Sequence, residues 1–236
     1  MLAYLQDANT EQQKEEAAKL INELIVEFPE ALDLHRLRAE SFSGLDDAEA
    51  KLTTAMEEYP RQAVYYLQRA KLYRQQNEYD KALADYRLAE EADKNYFRVY
   101  EERGSLHMSQ ERYEEALADL NKALELEPFR SWTYKRRATT HFHLGHFDET
   151  LADLAKSVEL NPEDLSALSW IPLGEVAACP DESFRDGLLE LADKSTDLTD
   201  KAARAYAARG WILAAFGQEE KALDDADIAC ADLGRA

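Results

Sequence analysis

Three histidines lie within six residues of one another in the segment "THFHLGHFDET", which spans residues 140–150. Imidazole nitrogens are frequent ligands of zinc and other transition metals, so His141, His143 and His146 raise the question of a metal site. Two ligands can bind one ion only when their side chains reach the same point. In a helix, His141 and His143 point about 200° apart around the axis. The secondary structure around this segment therefore decides what chemistry it can support.

A repeat of 34 residues surrounds the histidines. Three segments align without a gap, beginning at Tyr66, Tyr100 and Tyr134: "YLQRAKLYRQQNEYDKALADYRLAEEADKNY", "YEERGSLHMSQERYEEALADLNKALELEPFR" and "YKRRATTHFHLGHFDETLADLAKSVELNPED". With residue 63 as place 1, small residues recur at places 8 and 20, where two helices must approach closely, and large apolar residues recur at place 24. Pro128 and Pro162 stand at place 32, where proline ends a helix.

The composition favours helices along the whole chain. Only eight glycines and six prolines occur in 236 residues, and strong helix formers fill the intervals at helical spacing. The repeat resembles the tetratricopeptide repeat (TPR), most clearly over residues 63–164. This resemblance implies an all-α fold, a right-handed α-solenoid of antiparallel helix pairs with about 13 to 14 helices.

The register predicts seven repeats in one domain that covers residues 1–236. They are 1–31 (partial), 32–62, 63–96, 97–130, 131–164, 165–202 (divergent) and 203–236. In the divergent repeat Pro172 falls inside the first helix, which predicts a kink or an early helix start near Trp170. The following "CPDES" predicts a turn, with Asp181 or Ser183 capping a helix that runs to about Ser195.

Both ends of the chain are incomplete as repeats. The first repeat lacks most of its first helix, and "ALDDADIACADLGRA" is a second helix with nothing after it. Solenoids usually close with a helix whose outer face is polar. We therefore expect the chain to be a fragment of a longer protein; a partner that covers the last helix, or self-association through it, is the alternative.

Two columns of opposite charge run through the repeats. Place 7 is arginine in five of them and place 23 is aspartate in four: Arg38, Arg69, Arg103, Arg137, Arg209, Asp85, Asp119, Asp153 and Asp225. The two places lie on paired helices beside the small residues, so we predict a bidentate ion pair between the helices rather than a phosphate site. The repeat of Arg38 has Lys51 at place 23, and the partner of Arg38 is not predicted.

The resemblance also implies a binding groove. In the TPR family, places 2, 5, 9, 12 and 13 of each first helix line the concave surface, and here they hold six basic against three acidic residues. The predicted groove residues are Arg36, Lys71, Arg74, Arg98, Trp132, Lys135, Phe142, His143, Arg204 and Trp211. A mildly basic wall with aromatic anchors favours an acidic or amphipathic peptide. Alternatively, the tryptophans pack between repeats and the basic residues pair with acidic neighbours.

The bulk composition limits the partners and the compartment. The formal net charge of −20 would repel a phosphate backbone, so we expect no nucleic-acid partner. No apolar run is long enough to span a membrane, and the first residues do not resemble a signal peptide. Cys179 and Cys230 are far apart, which favours a reducing compartment. We expect a cytoplasmic protein, or a periplasmic one if a signal has been removed.

No catalytic motif is recognisable, since the chain has no Gly-rich phosphate loop, no HExxH and no Gly-x-Ser-x-Gly. We therefore predict a protein that is not an enzyme, has no cofactor and acts as a protein interaction scaffold for a protein or peptide ligand. The alternative is a regulatory or substrate-recruiting segment of a larger enzyme or secretion component. The identity of the ligand does not follow from the fold.

The register assigns each histidine a separate role. His141 stands at place 11, equivalent to Tyr73 and Leu213, and is predicted to lie in the core between helices. His146 stands at place 16, in the polar turn, and His143 at place 13, facing the groove. We therefore predict no metal site at the three histidines.

Overall fold

The computed structural model describes residues 11–41, 47–161, 173–197 and 202–233. These residues form thirteen helices and no strand. The helices are α1 (Glu11–Glu27), α2 (Leu32–Ser41), α3 (Ala48–Glu58), α4 (Ala63–Gln75), α5 (Tyr79–Ala92), α6 (Phe97–Ser109), α7 (Tyr113–Leu126), α8 (Ser131–His143), α9 (Phe147–Leu160), α10 (Leu173–Ala178), α11 (Glu182–Asp197), α12 (Ala202–Ala215) and α13 (Glu219–Leu233). The predicted all-α fold is confirmed, and helix pairs follow the predicted repeats.

One turn geometry joins the two helices of four repeats. In each turn the N–H of the last residue donates to a carbonyl five residues earlier, at 2.9 Å: Glu78 to Tyr73, Arg112 to His107, His146 to His141, and Gln218 to Leu213. The residue before the donor has a left-handed backbone: Asn77 (φ 61°), Glu111 (φ 59°), Gly145 (φ 75°) and Gly217 (φ 73°). This is a common helix C-terminal motif, and it fixes how the chain re-enters the next helix.

The chain divides into two compact units, Met1–Leu106 and His107–Ala236. We call them unit 1 and unit 2. The prediction of a single domain over residues 1–236 stays a prediction.

The core of unit 1 is rich in tyrosine. Tyr65 and Tyr86 have no exposed surface and pack with Leu52 and Val99, which are also fully buried. His35 lies beside this core, and its Nδ1 is 2.7 Å from the Tyr65 hydroxyl while its Nε2 is 2.7 Å from the Pro29 carbonyl. Because only a protonated Nε2 can donate to that carbonyl, the neutral ring accepts from Tyr65 at Nδ1. Burial raises the pKa of Tyr65 to about 12.

The core of unit 2 is built on phenylalanine and aliphatic residues. The ring centroids of Phe142, Phe147 and Phe184 lie 5.2–5.8 Å apart, which is the range of favourable aromatic packing. Leu154 and Ile212 are fully buried in the same cluster.

The first helix of the divergent repeat is described only in part. The structure describes only α10 there, six residues long, and Pro172 and Trp170 lie outside the described residues. The predicted turn is present, and Asp181 caps α11, because its Oδ1 accepts from the Phe184 N–H at 2.8 Å. Helix α11 ends at Asp197, two residues beyond the predicted end.

The predicted ion pairs between helices are confirmed in three repeats. Each arginine donates from Nε and one terminal nitrogen to both oxygens of the aspartate sixteen residues later, at 2.6–2.8 Å: Arg69 to Asp85, Arg137 to Asp153, and Arg209 to Asp225. These aspartates are at most 5% exposed. The side-chain hydrogen bonds raise the pKa of all three arginines, so the guanidinium stays charged.

Each of these arginines also contacts the second helix of the preceding repeat. Its remaining terminal nitrogen donates to a residue sixteen positions earlier, at 2.8–2.9 Å: Thr53, Asn121 and Asp193. One guanidinium therefore connects three helices. Arg38, whose partner the sequence did not predict, binds Glu58 at 3.1 Å, and Arg103 binds Glu90 at 2.7 Å.

Candidate peptide-binding surface

Two cations of unit 1 converge on one carboxylate. Lys71 and Arg74 lie one turn apart on α4, and Glu102 lies on α6, the first helix of the next repeat. Lys71 Nζ is 2.8 Å from Glu102 Oε1, and the Arg74 guanidinium is 2.9 Å from Oε2. The side chains of Lys71 and Arg74 remain 28% and 34% exposed. The arrangement shows that a carboxylate fits between these two cations.

The other predicted basic residues of unit 1 lie on first helices as well. Arg36 on α2 pairs with Asp33 at 3.3 Å and with Glu40 at 3.2 Å on its own helix. The guanidinium of Arg98 lies 5.8 Å from the ring of Phe97. Pairing with acidic neighbours, which the sequence left open as an alternative, therefore describes Arg36, Lys71 and Arg74.

In unit 2 the predicted groove residues differ in how much of their side chains is exposed to solvent. The guanidinium of Arg136 stacks on the Trp132 ring at 3.5 Å. Lys135 is only 2% exposed, and Phe142 packs on the core of the unit. Lys135 therefore offers little surface to a ligand, whereas Phe142 is partly exposed.

His143 and Trp211 keep more contact with solvent. The His143 ring stacks on Tyr113 with centroids 4.5 Å apart, and its Nδ1 is 3.8 Å from a Glu175 oxygen. Trp211 on α12 is 58% exposed, and Ala207 and Ala214 on the same helix face are exposed too. The side chain of the remaining predicted residue, Arg204, lies outside the described residues.

Comparison with protein families decides what these helix pairs are. Family models described as tetratricopeptide repeat match residues 63–96 and 97–129. The chain contains tetratricopeptide repeats. Helices α4 to α7 are therefore TPR helices, and the expectation drawn from the sequence is confirmed. Comparison with curated protein sequences gives no match.

Solved TPR structures resemble the chain over most of its length. YrrB, a TPR protein with an unusual peptide-binding site, is 28% identical, with 77% of this chain and 91% of that chain covered and a TM-score of 0.54. The pilF protein of Pseudomonas aeruginosa is 22% identical, with 94% and 92% covered and a TM-score of 0.57. A TPR protein of Parabacteroides merdae is 19% identical, with 90% and 79% covered and a TM-score of 0.56. The last two similarities show the fold alone.

The TPR turn between α8 and α9 brings two of the histidines together. His141 Nδ1 lies 3.2 Å from His146 Nδ1, and the ring centroids are 5.5 Å apart. Burial lowers the pKa of His141, an effect that the Asp153 charge opposes. The sequence predicted His141 in the core between helices, whereas it is partly exposed and contacts the turn. The turn itself was the missed signal, since its hydrogen bond joins places 11 and 16.

The described residues contain neither a membrane-spanning helix nor a cluster of three metal-binding side chains. None of the helices in the described part of this TPR chain is both long enough and apolar enough to span a membrane. Within the same residues, no three His, Cys, Asp or Glu side chains are arranged to hold a metal ion.

Proposed function

We propose that this TPR protein is an interaction scaffold that binds an acidic or amphipathic peptide on the first-helix faces of its repeats. The observation that carries the proposal is the convergence of Lys71 and Arg74 on Glu102. The internal carboxylate occupies the position that a ligand carboxylate would take. Both cations remain partly exposed, so a ligand carboxylate can bind on their open side or displace Glu102.

Unit 2 has an apolar surface of its own that could bind such a ligand. The exposed face of α12 presents Trp211 between two alanines, and an indole on a surface is a strong anchor for a partner's apolar side chain. TPR solenoids offer such first-helix faces to extended ligands. The similarity to YrrB, which has a peptide-binding site, supports a peptide ligand for this chain too.

Selection from a peptide-display library tests the proposal directly. Random peptides are selected on the full chain, and the affinity of the enriched sequences is measured by fluorescence anisotropy. We expect the enriched peptides to contain Asp or Glu next to apolar residues. In the Lys71→Glu/Arg74→Glu double variant, we expect binding to weaken at least about tenfold, which corresponds to about 1.4 kcal/mol.

A matched control separates this site from general electrostatics. Lys122 on α7 and Lys156 on α9 are 38% and 37% exposed, and each pairs with a glutamate three residues later. The Lys122→Glu/Lys156→Glu variant changes the net charge by the same amount and should bind the peptides as the wild type does. Circular dichroism checks that both double variants are folded. An equal loss of binding in the control would overturn the assignment to Lys71 and Arg74.

Removal of the internal carboxylate tests the same site in the opposite direction. Glu102→Gln keeps the shape of the side chain and removes the charge that competes with the ligand. We expect acidic peptides to bind this variant more tightly than the wild type. Weaker binding to Glu102→Gln, or enriched peptides without Asp or Glu, would contradict a carboxylate site.

A further inference from the structure

The turn between α8 and α9 holds two imidazoles at a fixed separation. The His146 N–H donates to the His141 carbonyl at 2.9 Å, and Gly145 supplies the left-handed residue of the turn. This backbone brings the two residues side by side, and in their side-chain conformations the two Nδ1 atoms are 3.2 Å apart. The pair is accessible, because His141 is partly exposed and His146 is exposed.

The other turns of the same geometry show what is special about this one. In the three equivalent turns, places 11 and 16 are occupied by the following pairs: Tyr73 with Glu78, His107 with Arg112, and Leu213 with Gln218. Each of these pairs is joined by the same backbone hydrogen bond, but among these four turns only the one with His141 and His146 has an imidazole at both places. The scaffold is therefore common to four repeats, and the two imidazoles belong to one.

The separation of the nitrogens suits a tetrahedral metal ion. Two Zn–N bonds of about 2.0–2.1 Å that meet at a tetrahedral angle place the nitrogens about 3.3 Å apart. The observed Nδ1 to Nδ1 distance of 3.2 Å is close to this value. A metal could enter between the rings with little movement of the backbone.

In contrast to the expectation drawn from the sequence, we propose that His141 and His146 form a two-ligand site for a divalent transition-metal ion such as Zn2+, with water as the remaining ligands. Among the described residues no third His, Cys, Asp or Glu joins the pair, so binding is expected to be weaker than in a four-ligand structural site. The net charge of −20 and the nearby charge of Glu149 favour a cation there, whereas the Arg137 guanidinium, which pairs with Asp153, opposes it.

Isothermal titration of the full chain with Zn2+ alone, in a buffer that does not chelate metal, tests the site. Two substitutions copy what the last repeat carries at the same places: His141→Leu and His146→Gln. Loss of even an outer partner of a metal ligand costs about ten- to a hundredfold in affinity. We therefore expect each variant to lose at least about tenfold in zinc affinity, since each removes a direct ligand.

The third histidine of the segment is the control. His143 stacks on Tyr113 and does not face the pair, so His143→Ala should bind zinc as the wild type does. Wild-type chain that takes up no zinc at millimolar concentration would show that the two rings form a hydrogen-bonded pair only, and would overturn the proposal. Equal zinc affinity in His146→Gln and wild type would overturn it as well, since the metal would then bind elsewhere.

Discussion

One helix pair from each compact unit uses the same repeat but buries it to a different extent. Helices α4 and α5 in unit 1 and helices α12 and α13 in unit 2 are each joined by the three-residue turn and by an Arg–Asp pair sixteen residues apart. In α4 and α5, Tyr65 and Tyr86 have no exposed surface, and Leu88 is the one large apolar side chain that is exposed to solvent, at 40%. In unit 2, α12 and α13 leave large apolar side chains in solvent: Trp211 (58% exposed), Leu223 (67%) and Ile228 (41%).

This difference separates two sources of structure in a repeat protein. The turn and the ion pair are formed by residues of a single repeat and its immediate neighbour, so they recur wherever the sequence pattern recurs. Burial of the apolar faces depends on what is stacked against each pair of helices. The regions with the same links therefore differ in the surface that they offer to a partner.

The largest contrast is expected in the cores. Tyr86→Ala removes a fully buried aromatic side chain and should lower the free energy of unfolding by about 4 kcal/mol, because it leaves a cavity. Leu223→Ala removes a mostly exposed side chain and should change it by less than about 0.5 kcal/mol. Urea unfolding followed by circular dichroism measures both. Similar losses of stability in the two variants would contradict the difference in burial between these two helix pairs.

Removal of the aspartate from an Arg–Asp pair should destabilise the protein more in unit 1 than in unit 2, although the difference is smaller than in the cores. Asp85→Ala leaves Arg69 with Thr53 as its remaining partner among the contacts described above, and should cost about 3 kcal/mol of stability. Asp225→Ala leaves Arg209 with the Asp193 carboxylate at 2.9 Å, and should cost about 2 kcal/mol. The exposed neighbour Asp224→Ala is the control and should be within about 0.5 kcal/mol of wild type. Urea unfolding measures the loss of stability in all three variants. A greater loss in Asp225→Ala than in Asp85→Ala would contradict the idea that Asp193 compensates for the missing partner of Arg209.

The smallest effect is a pH dependence that should be stronger in unit 1. Burial lowers the pKa of His35, which has no exposed surface, and also lowers that of the partly exposed His141. Below pH about 6.5 these histidines bind protons in the unfolded chain but remain unprotonated in the folded chain. The free energy of unfolding therefore falls as pH falls from 7.5 towards 5.5. The slope per histidine cannot exceed about 1.4 kcal/mol per pH unit. We expect the His35→Gln variant to reduce this pH dependence of stability more than His141→Leu does. Urea unfolding midpoints measured between pH 5.5 and 7.5 test this. A larger reduction in His141→Leu would contradict the prediction.

Most of the fold could be predicted from the sequence. The spacing of Tyr66, Tyr100 and Tyr134 set the register, and α4, α6 and α8 begin at the first residue of each predicted repeat, at residues 63, 97 and 131. The Arg–Asp pairs were predictable because charge complementarity at a constant spacing leaves few alternatives. The candidate site was less predictable, since place numbers give the side of a helix and do not give its contacts.

The sequence by itself determined the repeat, the all-helical fold, the turns and the ion pairs, because all of these depend on residues at fixed spacing within one or two repeats. Tertiary structure alone decided that Lys71 and Arg74 share Glu102, that Lys135 is buried and that Trp211 is exposed. The contact between His141 and His146 is local, because the turn between α8 and α9 joins the two residues. Exposure and side-chain pairing depend on the distance between neighbouring helices and on rotamers, and these are set by packing, which a one-dimensional pattern does not record.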